Sequence, residues 1–271
     1  MKKTLFISDL DGTLLTSKET LSPFTIQAIN HLTSQGMMFS YATARSYRSA
    51  SKVTDGLTVH LPIIVNNGVF ILENITWKRL HASYYTKDEA AHILDTLNQQ
   101  NVHPLVYTYL HDKQKYSYRP ECLSRGILHF LDAHPNDPRH RPVAASQMLD
   151  GDLFYFLCID DADKLFPCYQ QLKNAFHCVY QIDMYDGEQW LEIMPKGATK
   201  ASAALKLKEM LGCEKIVAFG DGINDLSLFA IADECYAMEN ANENVKQAAT
   251  AVIGSNEEDG VARWLLENWK N

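Results

Sequence analysis

Two stretches of this chain, one towards each end, repeat one rhythm: a short apolar run, then an amphipathic helical pattern. Residues 4–8, Thr-Leu-Phe-Ile-Ser, read as a buried strand. Ser22-Pro23 then opens a helix, with Ser as N-cap and Pro at the first helical position. Ile26, Ile29 and Leu32 fall on one side of it, and Gly36 marks its end. Residues 37–42 and 62–66 read as second and third buried strands. Strand, helix, strand in this order predicts a parallel sheet covered by helices. The rhythm returns over Lys200–Leu211, a helix with Ala204, Leu207 and Leu211 on one face, and over the strand at 215–219. A helix from about Asn224 and a closing amphipathic helix carrying Val261, Leu265 and Trp269 complete the pattern.

The middle of the chain breaks the rhythm. Residues 84–193 hold aromatic-rich strands at 105–110 and 153–159, with helical patterns at 88–100, 121–133 and 162–176. A Pro-rich stretch at 134–142 reads as an exposed loop. The chain has 271 residues, and at roughly 150 per domain that is one large domain or two ordinary ones. The pattern predicts an α+β domain at 84–193 inserted into an α/β core built from 1–83 and 194–271. No repeat of fixed period is visible.

Apolar residues make up 46% and charged residues 21%, enough for a packed core and against disorder. Acids outnumber bases 33 to 25, a formal net charge of −8, which argues against nucleic acid or an anionic membrane as broad-surface partners. The basic start at Met1-Lys2-Lys3 is followed by an apolar run that stops at Asp9, too short for a secretory leader. No apolar stretch approaches the roughly 20 residues that span a bilayer. These features predict a cytoplasmic protein. Six cysteines without a Cys-x-x-Cys pair read as reduced thiols.

The chemistry sits at strand ends. Asp9-Leu10-Asp11-Gly12-Thr13 follows the first strand directly. Residues two apart on an extended chain point the same way, so Asp9 and Asp11 can face one site, and Gly12 permits a sharp turn. Ligand sites of open α/β sheets lie at such carboxyl ends. Gly220-Asp221-Gly222-Ile223-Asn224-Asp225 follows a second strand, and its glycines let backbone N–H groups approach a ligand. A lone Asp-x-Asp or a Gly-rich turn is more often solvated loop. Four acids at two strand ends, Asp9, Asp11, Asp221 and Asp225, favour a metal, and hard oxygens without His or Cys favour Mg²⁺.

Other candidates depend on that pair. Thr43 and Arg45 follow the second strand and could bind a phosphate oxygen or an anionic group; alone they are an ordinary Thr and a surface Arg. Asn66-Asn67-Gly68 is both a strong turn signal and a possible polar contact. Lys196 and Lys200 stand by a helix start, a poor place for a cation unless an anion offsets the dipole. His129, His134 and His140 have no metal-site spacing, and Trp190 and Glu192 read equally as strand packing or substrate contacts.

Asp-x-Asp-Gly-Thr, the strand-end Thr43, Lys200 before a late helix and Gly-Asp-Gly-x-Asn-Asp occur in the order of the haloacid dehalogenase (HAD) superfamily. The insert between Thr43 and Lys200, and the tail from Ala241-Asn242-Glu243-Asn244 through Asp259-Gly260-Val261, resemble its Cof-like phosphatase branch. The resemblance implies a Rossmann-like core with a mobile C2-type cap. It implies Asp9 as nucleophile and Asp11 as general acid and base. It implies Mg²⁺ held by Asp9, the carbonyl of Asp11 and Asp221, with Asp225 as ligand or water anchor. Thr43, Lys200 and Asn224 would hold phosphoryl oxygens, with Lys200 matching the family lysine better than Lys196; Arg45 and Asn67 are further phosphate-site candidates. The activity implied is hydrolysis of a small phosphomonoester such as a sugar phosphate, nucleotide, FMN or pyridoxal phosphate. A phosphomutase or phosphotransferase, and a silent binding protein on the same scaffold, are the alternatives. Oligomeric state is not legible.

Overall fold

The structure, a computed structural model, describes residues 3–182 and 187–270, so Met1 and Lys2 of the basic start lie outside it. In chain order the first stretch runs β1 (Thr4–Ser8), α1 (Pro23–Ser34), β2 (Met38–Tyr41), α2 (Tyr47–Val53), β3 (Ile63–Val65), β4 (Phe70–Leu72) and β5 (Arg79–Ala82). The middle stretch gives α3 (Lys87–Gln99), β6 (Leu105–Leu110), β7 (Lys113–Tyr118), α4 (Arg125–Ala133), β8 (His140–Pro142), β9 (Asp152–Ile159), α5 (Ala162–Leu172), β10 (His177–Ile182) and β11 (Gln189–Met194). The last gives α6 (Lys200–Leu211), β12 (Lys215–Gly220), α7 (Leu226–Phe229), β13 (Glu234–Met238), α8 (Glu243–Ala248), β14 (Ala251–Ile253) and α9 (Gly260–Asn268). The chain divides into two compact units, Met1–Ala82 with Ala198–Asn271, and Ser83–Gly197.

The first unit is built on a parallel sheet of order β14-β13-β12-β1-β2. Leu5 and Ile7 of β1 are fully buried between helices, as the apolar run requires. β1 lies between β12 and β2, so the carboxyl ends of three neighbouring strands carry Asp9, Asp221 and, just past β2, Thr43. This is a topological switch point, where such sheets bind ligands. Ser22 caps α1 as the sequence predicts, its Oγ accepting the Thr25 N–H at 3.0 Å. The buried stripe of α1 is Thr25, Ala28, Ile29 and Leu32, with Ile26 only half-buried. On α6 it is Lys200, Ala203, Ala204 and Leu207, with Leu211 half-buried.

Three expectations for this unit change. The third strand, β3, touches the parallel sheet through a single Ala42–Ile64 bridge and otherwise pairs antiparallel with β4. Asn66, Asn67 and Gly68 all take positive φ and turn the chain back at once. The helix expected from Asn224 is a 3-10 turn at Ile223–Asp225 followed by the four-residue α7. The closing helix ends at Asn268, short of Trp269. The aromatic that packs is Trp264, 5.2 Å from Phe219 and 4.3 Å from Tyr236 between ring centroids.

The second unit is a mixed sheet of order β10-β11-β9-β6-β7-β8, antiparallel except for β7 with β8. Alternate residues of its central strands, among them Val106, Phe156, Cys158, Leu191 and Ile193, join Ile93 and Leu97 of α3 and Leu165 and Cys168 of α5 in one core. The predicted helix at 121–133 begins only at Arg125, because Ser124 caps it by accepting the Ile127 N–H at 3.1 Å. Part of the predicted loop, His140–Pro142, is an edge strand. Glu192 is buried and accepts a hydrogen bond from Tyr155, while Trp190 meets Phe130 edge-on, so both pack within this unit. All six cysteines are free thiols. No helix among the described residues is long and apolar enough to cross a membrane.

Candidate active site

Asp9 leaves β1 with its N–H donated to the Phe219 carbonyl of β12 at 2.9 Å, which sets its carboxylate beside the end of the neighbouring strand. Lys200, the first residue of α6, reaches Asp9 Oδ1 at 2.9 Å and Asp225 Oδ1 at 2.7 Å. Its side chain is 1% exposed. Lys196 is exposed, so Lys200 is the lysine brought to the acids. The dipole penalty expected of a lysine at a helix start is offset here by two carboxylates.

Asp225 is fully buried and spends both oxygens: Oδ1 on Lys200, and Oδ2 on the backbone N–H groups of Asp221 and Gly222, each at 3.0 Å. That carboxylate occupies the donors that a bound anion was expected to use, and α7 is too short to supply others. Thr13 Oγ1 donates to Asp221 Oδ1 at 2.7 Å. Gly12, at φ +70°, lies so close to Asp221 that a Cβ there would stand 2.2 Å from Oδ2. Gly68, at φ +96°, likewise lets the β3–β4 turn approach the Thr199 carbonyl before Lys200.

The electrostatics follow from crowding. Burial, then the charge of Asp225, pushes the Asp9 carboxyl well above the usual range, with Lys200 pulling the other way. Burial and Asp225 push Asp221 up to about 7, against the Thr13 hydrogen bond and Lys200. Burial disfavours the Lys200 charge, but Asp225 and Asp9 outweigh it and raise its pKa.

Arg45 is not turned towards an open anion site. Its Nε and Nη2 donate to the two oxygens of Asp11 at 2.8 and 2.5 Å, and Nη2 also reaches Glu19 Oε2 at 2.7 Å. The Thr43 hydroxyl is buried and accepts the Arg45 N–H at 3.1 Å. Asn224 Nδ2 donates to Asn67 Oδ1 at 3.1 Å, joining two motifs far apart in sequence. Thr13 and Glu19 are not among the site residues expected from sequence: Thr13 closes the Asp-x-Asp-Gly-Thr motif, whereas Glu19 lies in a polar loop with no spacing signal.

One carboxylate oxygen from each of Asp9, Asp221 and Asp225 falls within 4.8 Å of the others, the one such group of potential metal ligands among the described residues. Hard oxygens at that spacing suit Mg²⁺. Asp225, already committed to Lys200 and two N–H groups, fits the part of an anchor better than that of a ligand.

Clustered, buried carboxylates at a switch point of a parallel α/β sheet mark a candidate catalytic site. A model of the haloacid dehalogenase-like hydrolase family matches residues 6–265, and the chain belongs to that family. It is 30% identical to the Bacillus subtilis 5-amino-6-(5-phospho-D-ribitylamino)uracil phosphatase YitU, over 98% of this chain and 97% of that one. It is 27% identical to the Escherichia coli pyridoxal phosphate phosphatase YbhA, over 96% of each chain. Among solved structures, that of TM0651 from Thermotoga maritima matches with a TM-score of 0.79 at 26% identity, over 100% of this chain and 99% of that one. The family resemblance and the α/β fold expected from sequence are both borne out.

Proposed function

We propose that this chain is a Mg²⁺-dependent phosphatase that hydrolyses small phosphomonoesters through an aspartyl-phosphate on Asp9. One observation carries the reading. Five carboxylates, Asp9, Asp11, Glu19, Asp221 and Asp225, cluster with two cations, Lys200 and Arg45, and both cations are already bonded to those carboxylates. A phosphate ester entering that cluster meets net negative charge. A hard divalent cation is the group whose arrival removes the conflict.

Asp9 and Asp221, with the Asp11 carbonyl that the family resemblance adds, would hold Mg²⁺, which supplies charge neutralisation on phosphoryl oxygens. The chain's own residues do the rest. A carboxylate oxygen of Asp9 attacks phosphorus, and the bond from phosphorus to the ester oxygen breaks as Asp11 gives that oxygen a proton. Asp11 then takes a proton from a water whose oxygen attacks the same phosphorus. Inorganic phosphate leaves, and the Asp9 carboxylate is restored. Lys200 orients Asp9, Asp225 holds Lys200 and the backbone of Asp221, and Thr43, Asn67 and Asn224 offer donors to phosphoryl oxygens.

Ser83–Gly197 is proposed as the cap that sets specificity, and the cytoplasm as the location. The two phosphatase relatives carry names of small phosphomonoesters, which supports that substrate class here: sugar phosphates, nucleotides, FMN or pyridoxal phosphate. The test is release of inorganic phosphate from a panel of such esters with Mg²⁺, run beside Asp9→Asn. Turnover by wild type and none by the variant is expected. Equal turnover by both removes Asp9 as nucleophile, and a flat wild-type panel removes the phosphatase reading.

A further inference from the structure

We propose that Glu19 is a positioning residue for Asp11, acting through Arg45. The inference rests on the phosphatase reading, which gives Asp11 its proton-transfer role.

Arg45 meets Asp11 fork on fork, Nε to Oδ2 at 2.8 Å and Nη2 to Oδ1 at 2.5 Å. Such a bidentate pair fixes the plane of both groups, but the pair can still swing together about the side-chain stems. Two further bonds stop that swing. Nη2 reaches Glu19 Oε2 at 2.7 Å, and Nη1 donates to Ser49 Oγ at 3.1 Å. The Arg45 side chain is 13% exposed, so little water is on hand to replace a lost partner. Four bonds therefore hold the guanidinium to side chains of this protein, and it orients a carboxylate rather than gripping phosphate.

The placement of Glu19 is built rather than incidental. The Thr16 N–H donates to the Thr20 carbonyl and the Glu19 N–H to the Thr16 carbonyl, both at 3.0 Å, closing a tight turn. Glu19 sits in it at φ 55°, a left-handed conformation that a glutamate adopts only when its surroundings impose it. Those surroundings are visible. The Gly12 carbonyl accepts Asn240 Nδ2 at 2.8 Å, the Leu15 carbonyl accepts Asn256 Nδ2 at 2.9 Å, and the Ser17 N–H donates to Glu257 Oε1 at 2.6 Å. The segment from Asp11 to Glu19 is thus pinned at three points by residues near the other end of the sequence. What it presents at its far end is one carboxylate aimed at Arg45.

The test uses leaving groups. An alkoxide needs the proton of Asp11 to depart, whereas 4-nitrophenolate does not. kcat/KM reports the steps up to phosphoryl transfer onto Asp9, so it isolates this difference. Glu19→Ala is expected to lower kcat/KM for an alkyl phosphate about tenfold and to leave 4-nitrophenyl phosphate within about twofold. Glu19→Gln, whose amide oxygen can still accept the Arg45 bond, is expected to restore most of the alkyl-phosphate rate, and Glu19→Ser, too short to reach Arg45, keeps the test standing if the alanine variant fails to fold. Equal loss on both esters in Glu19→Ala or Glu19→Ser, or loss on neither, overturns the inference. Wild type inactive on both overturns the phosphatase reading, and this inference falls with it.

Discussion

The Lys200 ammonium lies 2.9 Å from Asp9 Oδ1, with 1% of one side chain and 7% of the other exposed. The two residues stand 191 positions apart in the chain, yet they pair in the interior, with Asp225 Oδ1 2.7 Å from the same ammonium: a buried charge is tolerated only where it is paired.

Lys200→Met follows from that relationship. It removes the cation and leaves Asp9 and Asp225 facing each other. Breaking a buried pair from one side costs about 3–5 kcal/mol, and loss of a positioned charge costs about 100-fold or more in rate. Urea unfolding should show the first and steady-state phosphate release the second. Wild-type stability in the variant would show that the pair contributes nothing to folding.

Asp221 gives a pH signature in the metal-free protein. Its carboxyl is raised from the ordinary 3.8 to about 7, so the folded state holds a proton that the unfolded chain has released. That contribution to stability is whole below the unfolded value and fades as pH climbs from about 4 to about 7. Asp221→Asn has no such group. The unfolding free energy of the variant should therefore gain on that of wild type across this interval. At pH 7, added Mg²⁺ should raise the melting temperature of wild type and leave that of the variant nearly unmoved.

Thr13→Val keeps the shape of the side chain and deletes the hydrogen bond to Asp221 Oδ1. Groups that orient a ligating carboxylate typically matter by about 10–100-fold in metal affinity. The Mg²⁺ concentration giving half-maximal activity should rise by that factor, with saturating activity much less affected.

Gly12→Ala tests the turn after Asp11. A methyl there meets Asp221 at 2.2 Å, and φ +70° is strained for any residue with a Cβ. The variant should lose at least about 1 kcal/mol of stability and weaken Mg²⁺ dependence in the same direction as Thr13→Val. An unchanged Mg²⁺ titration would show that Asp221 tolerates displacement.

The sequence carried the strand-end acids because a buried strand leaves one direction for residues two apart, and Asp9 and Asp11 obey it. It carried Lys200–Leu211 because Ala204 and Leu207 recur at helical spacing, and both are buried on α6. It could not carry the pairing of Arg45 with Glu19, since a loop residue reaches its partner by a turn that no hydrophobic period encodes. It misjudged the segment after Asp221, because an aspartate that caps its own backbone looks the same in one dimension as an aspartate opening a helix. It placed Trp269 on the closing helix because its spacing from Val261 and Leu265 suits an amphipathic stripe; only the end of α9 at Asn268 removes it.

The pairing of β1 with β12, Thr4 against Lys215 and Ser8 against Phe219, bears on how the protein is made. During synthesis Asp9 emerges early, and although β2 follows soon after, more than two hundred further residues pass before β12, the strand on its other side, exists. The middle unit, whose contacts are more local, is complete first. Closing so long a loop is slow compared with forming that unit. A ribosome-bound chain shorter than 200 residues therefore holds Asp9 without Lys200 or Asp221, and the cluster of acids around Lys200 can assemble only once β12 has been made.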